Sequence, residues 1–191
     1  MLEKSNYYDD LGLGGGVNST AVNISRCLLQ IQNILQIEGN LGEIGVLYGK
    51  YINLLHHYRT SNQTTIGIDS FGEGLSKPNG QLFTKTELAE MPKLIKKQIK
   101  ANFGSLRNFV LLERESTSIK SHEMSQFIPF RWWHIDGSHH EKVVESDCHL
   151  AFESLGQNGI MVLDDYSDEF SPGVSTGFNR FYKKFEGSIV P

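Results

Sequence analysis

Apolar residues recur along this chain with two alternating periods, and the alternation predicts an α/β protein. A helical period runs from Ser25 to Ile37, with Leu28, Ile31 and Leu35 on the face expected to meet a sheet. A short apolar strand, Leu41 to Val46, leads into a glycine turn from Gly45 to Gly49 and a helix from Tyr51 to Tyr58. The next strand, Thr64 to Ile68, ends in Asp69-Ser70-Phe71, and the turn-rich loop Gly72 to Gly80 precedes a helix from Lys85 to Ala101 that starts near Thr84. Phe109 to Leu112 is a third strand. From Arg131 to Tyr166 the pattern is one βαβ unit: a strand ending in Asp136, a loop with His139 and His140, a helix from Glu141 to Leu155, a Gly/Asn turn, and a strand ending in Asp164 and Asp165. A polar loop, Ser167 to Gly173, is followed by a helix from Val174 to Phe185 whose apolar positions are Phe178, Phe181, Tyr182 and Phe185.

Strands joined by right-handed crossovers all finish at one edge of a parallel sheet, so Asp136, Asp164 and Asp165 are expected to converge there, where open α/β sheets bind ligands. Adjacent carboxylates repel each other, and a hard cation, Mg²⁺ before Ca²⁺ or Mn²⁺, is the simplest way to hold them together. An Asp pair after a strand also starts loops and caps helices, and that alternative stays open. The Gly45 to Gly49 turn lets a polar ligand approach the backbone at a helix N-terminus. Glu43, acidic within an apolar strand, suits a ligand ammonium better than a phosphate. Asp69 stands where a carboxylate can accept both hydroxyls of a ribose.

Composition narrows the setting. At 191 residues a single domain is expected, residues 25–191, with residues 1–24 as a lead-in or lid. The glycine run Leu11 to Gly16 lacks the preceding strand that a dinucleotide loop needs. A formal net charge of −4 without a dense basic block gives no reason to expect nucleic acid, and the Lys93 to Lys100 cluster has the spacing of a solvated helix face. No apolar run reaches membrane-spanning length and the start has no leader pattern, so a cytoplasmic location without membrane association is the default. Cys27 and Cys148 are expected to be buried, reduced thiols. His56 and His57 read as packing or surface residues. The run Ser188 to Pro191 begins an apolar segment, which suggests a fragment or truncated form, or a sheet edge covered in another way.

Taken together, Glu43-Ile44-Gly45-Val46 with Gly49, Asp69-Ser70-Phe71, Arg114-Glu115-Ser116, His134-Ile135-Asp136-Gly137-Ser138-His139 with Asp147 beyond, and Asp164-Asp165-Tyr166 resemble the class I S-adenosylmethionine-dependent methyltransferases. The likeness is greatest to the metal-dependent small-molecule O-methyltransferases that act on macrolide and aminocoumarin sugars, and it runs from about Ser25 to the last residue. It implies a Rossmann-like three-layer sandwich with a mostly parallel sheet, here without the last one or two strands. It also implies that Glu43, Gly45 and Gly49 hold the amino-acid part of S-adenosylmethionine, Asp69 and Ser70 its ribose, and Glu115 and Ser116 its adenine. Tyr51, Glu115 and Glu141 depart from the residues usual at their positions.

The expected activity is O-methylation of a hydroxylated small molecule, a sugar or natural-product glycoside among the candidates. Asp136, Asp164 and Asp165 would hold Mg²⁺, and His139 would take the acceptor's proton beside Asp136. His139 capping the following helix or donating a structural hydrogen bond is the alternative, and His140 has the weaker claim. Two other functions stay in view: a non-catalytic or truncated cofactor-binding module, and an NAD-dependent oxidoreductase, which would lack its G-x-G-x-x-G run and would face the pyrophosphate with Glu43. Self-association into a homo-oligomer is left open.

Overall fold

The computed structural model describes residues 19–72 and 80–190. The N-terminal glycine run and most of the Gly72 to Gly80 loop therefore lie outside the described residues. Five parallel strands, β1 (Asn40–Ile44), β2 (Thr65–Asp69), β3 (Phe109–Glu113), β4 (Phe130–Ile135) and β5 (Leu155–Leu163), form one sheet in the order β3-β2-β1-β4-β5. Between them run α1 (Ser19–Ile34), α2 (Lys50–Tyr58), α3 (Lys85–Phe103), a short 3-10 turn at Ser116–Ser118, α4 (Ser121–Met124) and α5 (Glu141–Ser154), with α6 (Pro172–Lys184) after β5.

Side-chain alternation along the strands divides the core between the two sheet faces. Leu41 and Trp132 face α1 and α2, packed with Leu29, Leu54 and Leu55, and α3 extends that layer through Met91, Ile95 and Ile99. On the opposite face Ile44, Ile66, Trp133 and Ile135 meet Val144, Cys148 and Ala151 of α5 and Phe181 of α6. This is a three-layer sandwich. The strand order reverses direction between β1 and β4, which opens a crevice beyond their carboxyl ends.

Several elements differ from the sequence pattern, each for a tertiary reason. α1 starts at Ser19 and buries Val22, Ser25, Leu29 and Gln32, while Ile31 is 48% and Leu35 63% exposed. Gln32 is inside because its amide is satisfied there: Nε2 donates to the Arg131 carbonyl at 2.8 Å, and Oε1 accepts from Arg131 Nη1 at 3.1 Å. The Arg131 guanidinium is itself fully buried without an acidic partner among the described residues, and it donates through Nη2 to the Tyr58 carbonyl at the end of α2. Burial lowers it to about 10. A binary pattern assigns such residues to the surface, whereas buried polar groups are tolerated where they are hydrogen-bonded.

The expected Gly/Asn turn before β5 is absorbed into the strand. Leu155 pairs with Phe130 and Ile160 with Trp132, so the ladder skips Gly156 to Gly159, and Asn158 takes a left-handed φ of 62°. Cys27 is exposed rather than buried, while Cys148 is buried and its thiol is pushed up to about 12 by that burial. His56 packs against Phe103 and Phe109 and pairs with Thr65 Oγ1 at 3.1 Å. Among the described residues, no helix is long and apolar enough to cross a membrane.

Candidate functional site

The carboxyl ends of four strands meet at one rim. Asp136 N donates to the Ile44 carbonyl at 2.8 Å, Gly45 N to that of Ile68 at 2.9 Å, and Asp164 N to that of Ile135 at 3.0 Å. These bonds extend the ladder by one residue past β4, β1 and β5, and they place Asp69, Gly45, Asp136 and Asp164 side by side. Gly45 has φ +86°, and a Cβ on it would fall on the Asp136 carbonyl. No other residue gives both the left-handed turn and this approach. Gly49, φ +80°, is the N-cap of α2.

Two donor groups share Asp136. One nitrogen of His134 and one oxygen each of Asp136 and Asp164 lie within 4.8 Å of one another, as do donor atoms of Asp136, His139 and Asp165. The three carboxylates predicted from sequence thus gather around Asp136, in two overlapping sets that each include an imidazole. Burial pushes the Asp136 carboxyl up to about 8, with Asp164, Asp165 and Asp69 adding like-charge repulsion. Burial raises Asp164 as well, and the Asp165 amide partly offsets it. Like charges held this closely are the environment in which a divalent cation replaces protons. Oxygen donors with an imidazole fit such a cation.

His139 does not cap α5, because the N-cap is His140, whose amide donates to Ser138 Oγ. The His139 imidazole instead points back to the rim, with Nε2 3.1 Å from Asp165 Oδ2 and Nδ1 2.8 Å from Ser171 Oγ. His134 was not singled out from the sequence. The signal for it was present, since residues i and i+2 of a strand share a face and His134 therefore lies on the Asp136 side of β4.

Glu43 is buried under this rim. Its Oε1 pairs with His134 Nδ1 at 3.1 Å, and Oε2 has no hydrogen-bond partner among the described residues. Tyr51 fills the space where a smaller residue was usual: it stacks on the His134 ring at 3.6 Å and donates its hydroxyl to Ser25 at 2.8 Å. Burial, with the nearby Asp136 and Asp69 charges, holds Glu43 well above the usual carboxylate range, and burial drives His134 down to about 3, so both groups resist charge until a partner arrives.

Asp69 has a second task that its position in the sequence did not show. Its Oδ2 accepts from the amides of Val46 and Leu47, both at 2.8 Å, and its Oδ1 accepts from that of Phe71 at 2.6 Å. The carboxylate therefore braces the glycine turn; the two amides occupy both lone pairs of Oδ2, and Oδ1 keeps one for another donor. Ser70 is exposed next to it. Asp69 pairs in register with Glu113, so Glu115 and Ser116 follow along the same rim; Glu115 precedes the 3-10 turn and approaches Gly72.

Asp147, on α5, is buried close to Gly137, and neither of its oxygens has a hydrogen-bond partner among the described residues. Burial pushes this carboxyl up to about 7, the nearby Ser116 hydroxyl offsetting only part of the effect. An acid raised in the folded state loses stability between its unfolded and folded pKa values. The penalty grows from about pH 4 to pH 7 and is complete above that, at no more than about 4 kcal/mol. Asp147→Asn is therefore expected to raise the unfolding free energy by about 1–3 kcal/mol at pH 8 and to leave it nearly unchanged at pH 4. Urea denaturation at the two pH values measures this.

Comparison with known proteins adds three findings. A family model described as a methyltransferase domain matches residues 43–166, the span from Glu43 to the residue after the Asp pair. No curated protein matches the sequence. Solved structures share the fold at low identity. The TDP-rhamnose 3′-O-methyltransferase CalS11 of calicheamicin biosynthesis is 16% identical, with TM-score 0.63 over 94% of this chain and 77% of its own. The O-methyltransferase NovP is 14% identical, with TM-score 0.71 over 89% and 74%. The O-methyltransferase TomG from Streptomyces achromogenes, solved with S-adenosylmethionine, is 12% identical, with TM-score 0.58 over 98% and 79%.

Proposed function

This chain belongs to the methyltransferase-domain family and has the class I S-adenosylmethionine-dependent fold, and from that premise we propose that it methylates a hydroxyl of a small molecule, with a divalent cation, Mg²⁺ first, held at the rim. The observation that carries this reading is the gathering of Asp164, Asp165 and His139 around Asp136, directly beside the Gly45 turn. In this reading the catalytic domain includes α1 from Ser19, whose Val22 packs in the core, so the boundary expected at residue 25 falls inside that helix, and residues 1–18 lie outside the described residues. CalS11 and NovP carry O-methyltransferase names, and a sugar hydroxyl is the acceptor we favour on that likeness.

The cofactor residues fit the group. The orphan Oε2 of Glu43 is an acceptor in want of a cationic donor, and the α-ammonium of S-adenosylmethionine supplies one. Gly45 and Gly49 leave the backbone open to the amino-acid part, Asp69 and Ser70 take the ribose, and Glu115 and Ser116 border the adenine. When bound, the cation would orient the acceptor and lower the pKa of its hydroxyl. Asp136, Asp164 and Asp165 would hold it there. Bound S-adenosylmethionine would supply an electrophilic methyl whose carbon–sulfur electron pair returns to sulfur as the acceptor oxygen takes the carbon, and His139 Nε2 would accept the hydroxyl proton. Orientation alone can supply about 7–11 kcal/mol in favourable cases.

Calorimetry with S-adenosylhomocysteine and Mg²⁺, together with turnover on a panel of nucleotide sugars and phenols, tests the assignment. Asp164→Asn is expected to weaken Mg²⁺ binding and cut turnover at least about tenfold, with cofactor affinity within about twofold of wild type. Asp69→Ala should do the reverse and weaken S-adenosylhomocysteine by about 10- to 100-fold, since it removes charge-assisted bonds and the brace on the glycine turn. Interchanged results would put these residues in the wrong subsites. Cofactor binding with no turnover on any acceptor would favour a non-catalytic module.

A further inference from the structure

α6 begins with an unusual choice. Serine at a helix N-cap normally turns its hydroxyl onto the exposed amides of the first turn, yet Ser171 makes no such bond. Its hydroxyl is engaged elsewhere, 2.8 Å from Asp168 Oδ2 and 2.8 Å from His139 Nδ1. The group is 4% exposed, so water does not compete for it. The backbone around it is tied down: the Ser171 amide donates to the Asp168 carbonyl at 3.1 Å, Val174 N to the Ser171 carbonyl at 3.0 Å, and Phe170 N to Asp168 Oδ1 at 3.2 Å. Gly173 lets this turn press against the His139 carbonyl, where a Cβ would collide.

We propose that Ser171 and Asp168 are positioning residues for His139, and that together they hold a hydrogen on Nδ1 and keep Nε2 turned to the rim. The inference rests on the reading of His139 as the proton acceptor. A hydroxyl has one hydrogen, and an ionised carboxylate can only accept. The Ser171 hydrogen therefore goes to Asp168, and the Ser171 oxygen must accept from its other neighbour. That makes Nδ1 of His139 an N–H donor, and in a neutral imidazole Nε2 is then bare. Nε2 lies 3.1 Å from Asp165 Oδ2. Two acceptors at that separation repel unless a proton or cation comes between them, so the relay holds the base where a proton arriving on Nε2 meets a carboxylate. The order Asp165, His139, Ser171 superficially matches a nucleophilic triad. Ser171 is no nucleophile, because it is buried and its proton is directed to Asp168.

The tautomer is read without substrate, from long-range ¹H–¹⁵N correlations of the His139 ring in the full chain, metal-free, at pH 8.5. Wild type and Ser171→Thr are expected to show hydrogen on Nδ1. Ser171→Ala should give a mixture of tautomers. Asp168→Ala should free the Ser171 hydrogen to donate to Nδ1 and move the ring hydrogen to Nε2, an inversion that mere loosening of the loop would not produce. On a turned-over acceptor, Ser171→Ala should lower kcat about tenfold with KM within twofold, and Thr should restore it. An Nδ1 without hydrogen in wild type, or an Nδ1 indifferent to Asp168→Ala, overturns the proposal. Failure of the His139 reading is separate: it would show as turnover surviving His139→Gln, whichever tautomer the ring holds.

Discussion

His139→Gln is expected to lower kcat for methyl transfer by about 10²- to 10⁴-fold, the range contributed by a positioned general base. Glutamine keeps a polar group that can bond with Ser171 and Asp165, so the fold and the rim should persist. What it removes is the capacity to hold a proton. S-adenosylhomocysteine affinity should stay within about twofold of wild type, because Glu43, Gly45 and Asp69 belong to β1, its turn and β2, while the His139 ring bonds only with Asp165 and Ser171 among the described residues. Single-turnover measurements separate chemistry from binding. A variant that keeps wild-type kcat would transfer the proton-accepting role away from His139, with Asp136 the next group in position.

Gly45→Ala carries the second large effect, and here the backbone decides. A left-handed φ of +86° costs an alanine about 1–2 kcal/mol. The added methyl would also strike the Asp136 carbonyl, which is backbone and cannot swing aside. Relief requires moving either the β1–α2 turn or the end of β4, and both line the rim. We expect a total loss of about 3 kcal/mol or more in stability and at least about 100-fold weaker S-adenosylhomocysteine binding, read by thermal melting and calorimetry. Gly49→Ala is the control. Its φ is equally left-handed, but the nearest atoms are side chains of Ile95 and Gln98 at 3.1–3.3 Å, so it should cost only about 1 kcal/mol. Equal behaviour of the two variants would show that the approach of Gly45 to Asp136 is unimportant.

The sequence by itself determined the alternation of strands and helices, the parallel sheet, and which residues stand at the strand ends. These follow from local periodicity and from the rule that crossover-linked strands finish at one edge. Hence Asp136, Asp164 and Asp165 were legible as neighbours before any coordinates.

What each of those residues touches was decided only by the tertiary structure. Nothing local says that Gln32 and Arg131 satisfy each other inside, which rotated α1 away from the face its apolar residues suggested. Nor does it say that Asp69 braces the glycine turn or that Tyr51 lies on His134. The link from His139 through Ser171 to Asp168 joins a loop after β4 to a turn after β5. A hydrogen bond depends on distance and angle between groups remote in sequence, and those are fixed only once the layers pack.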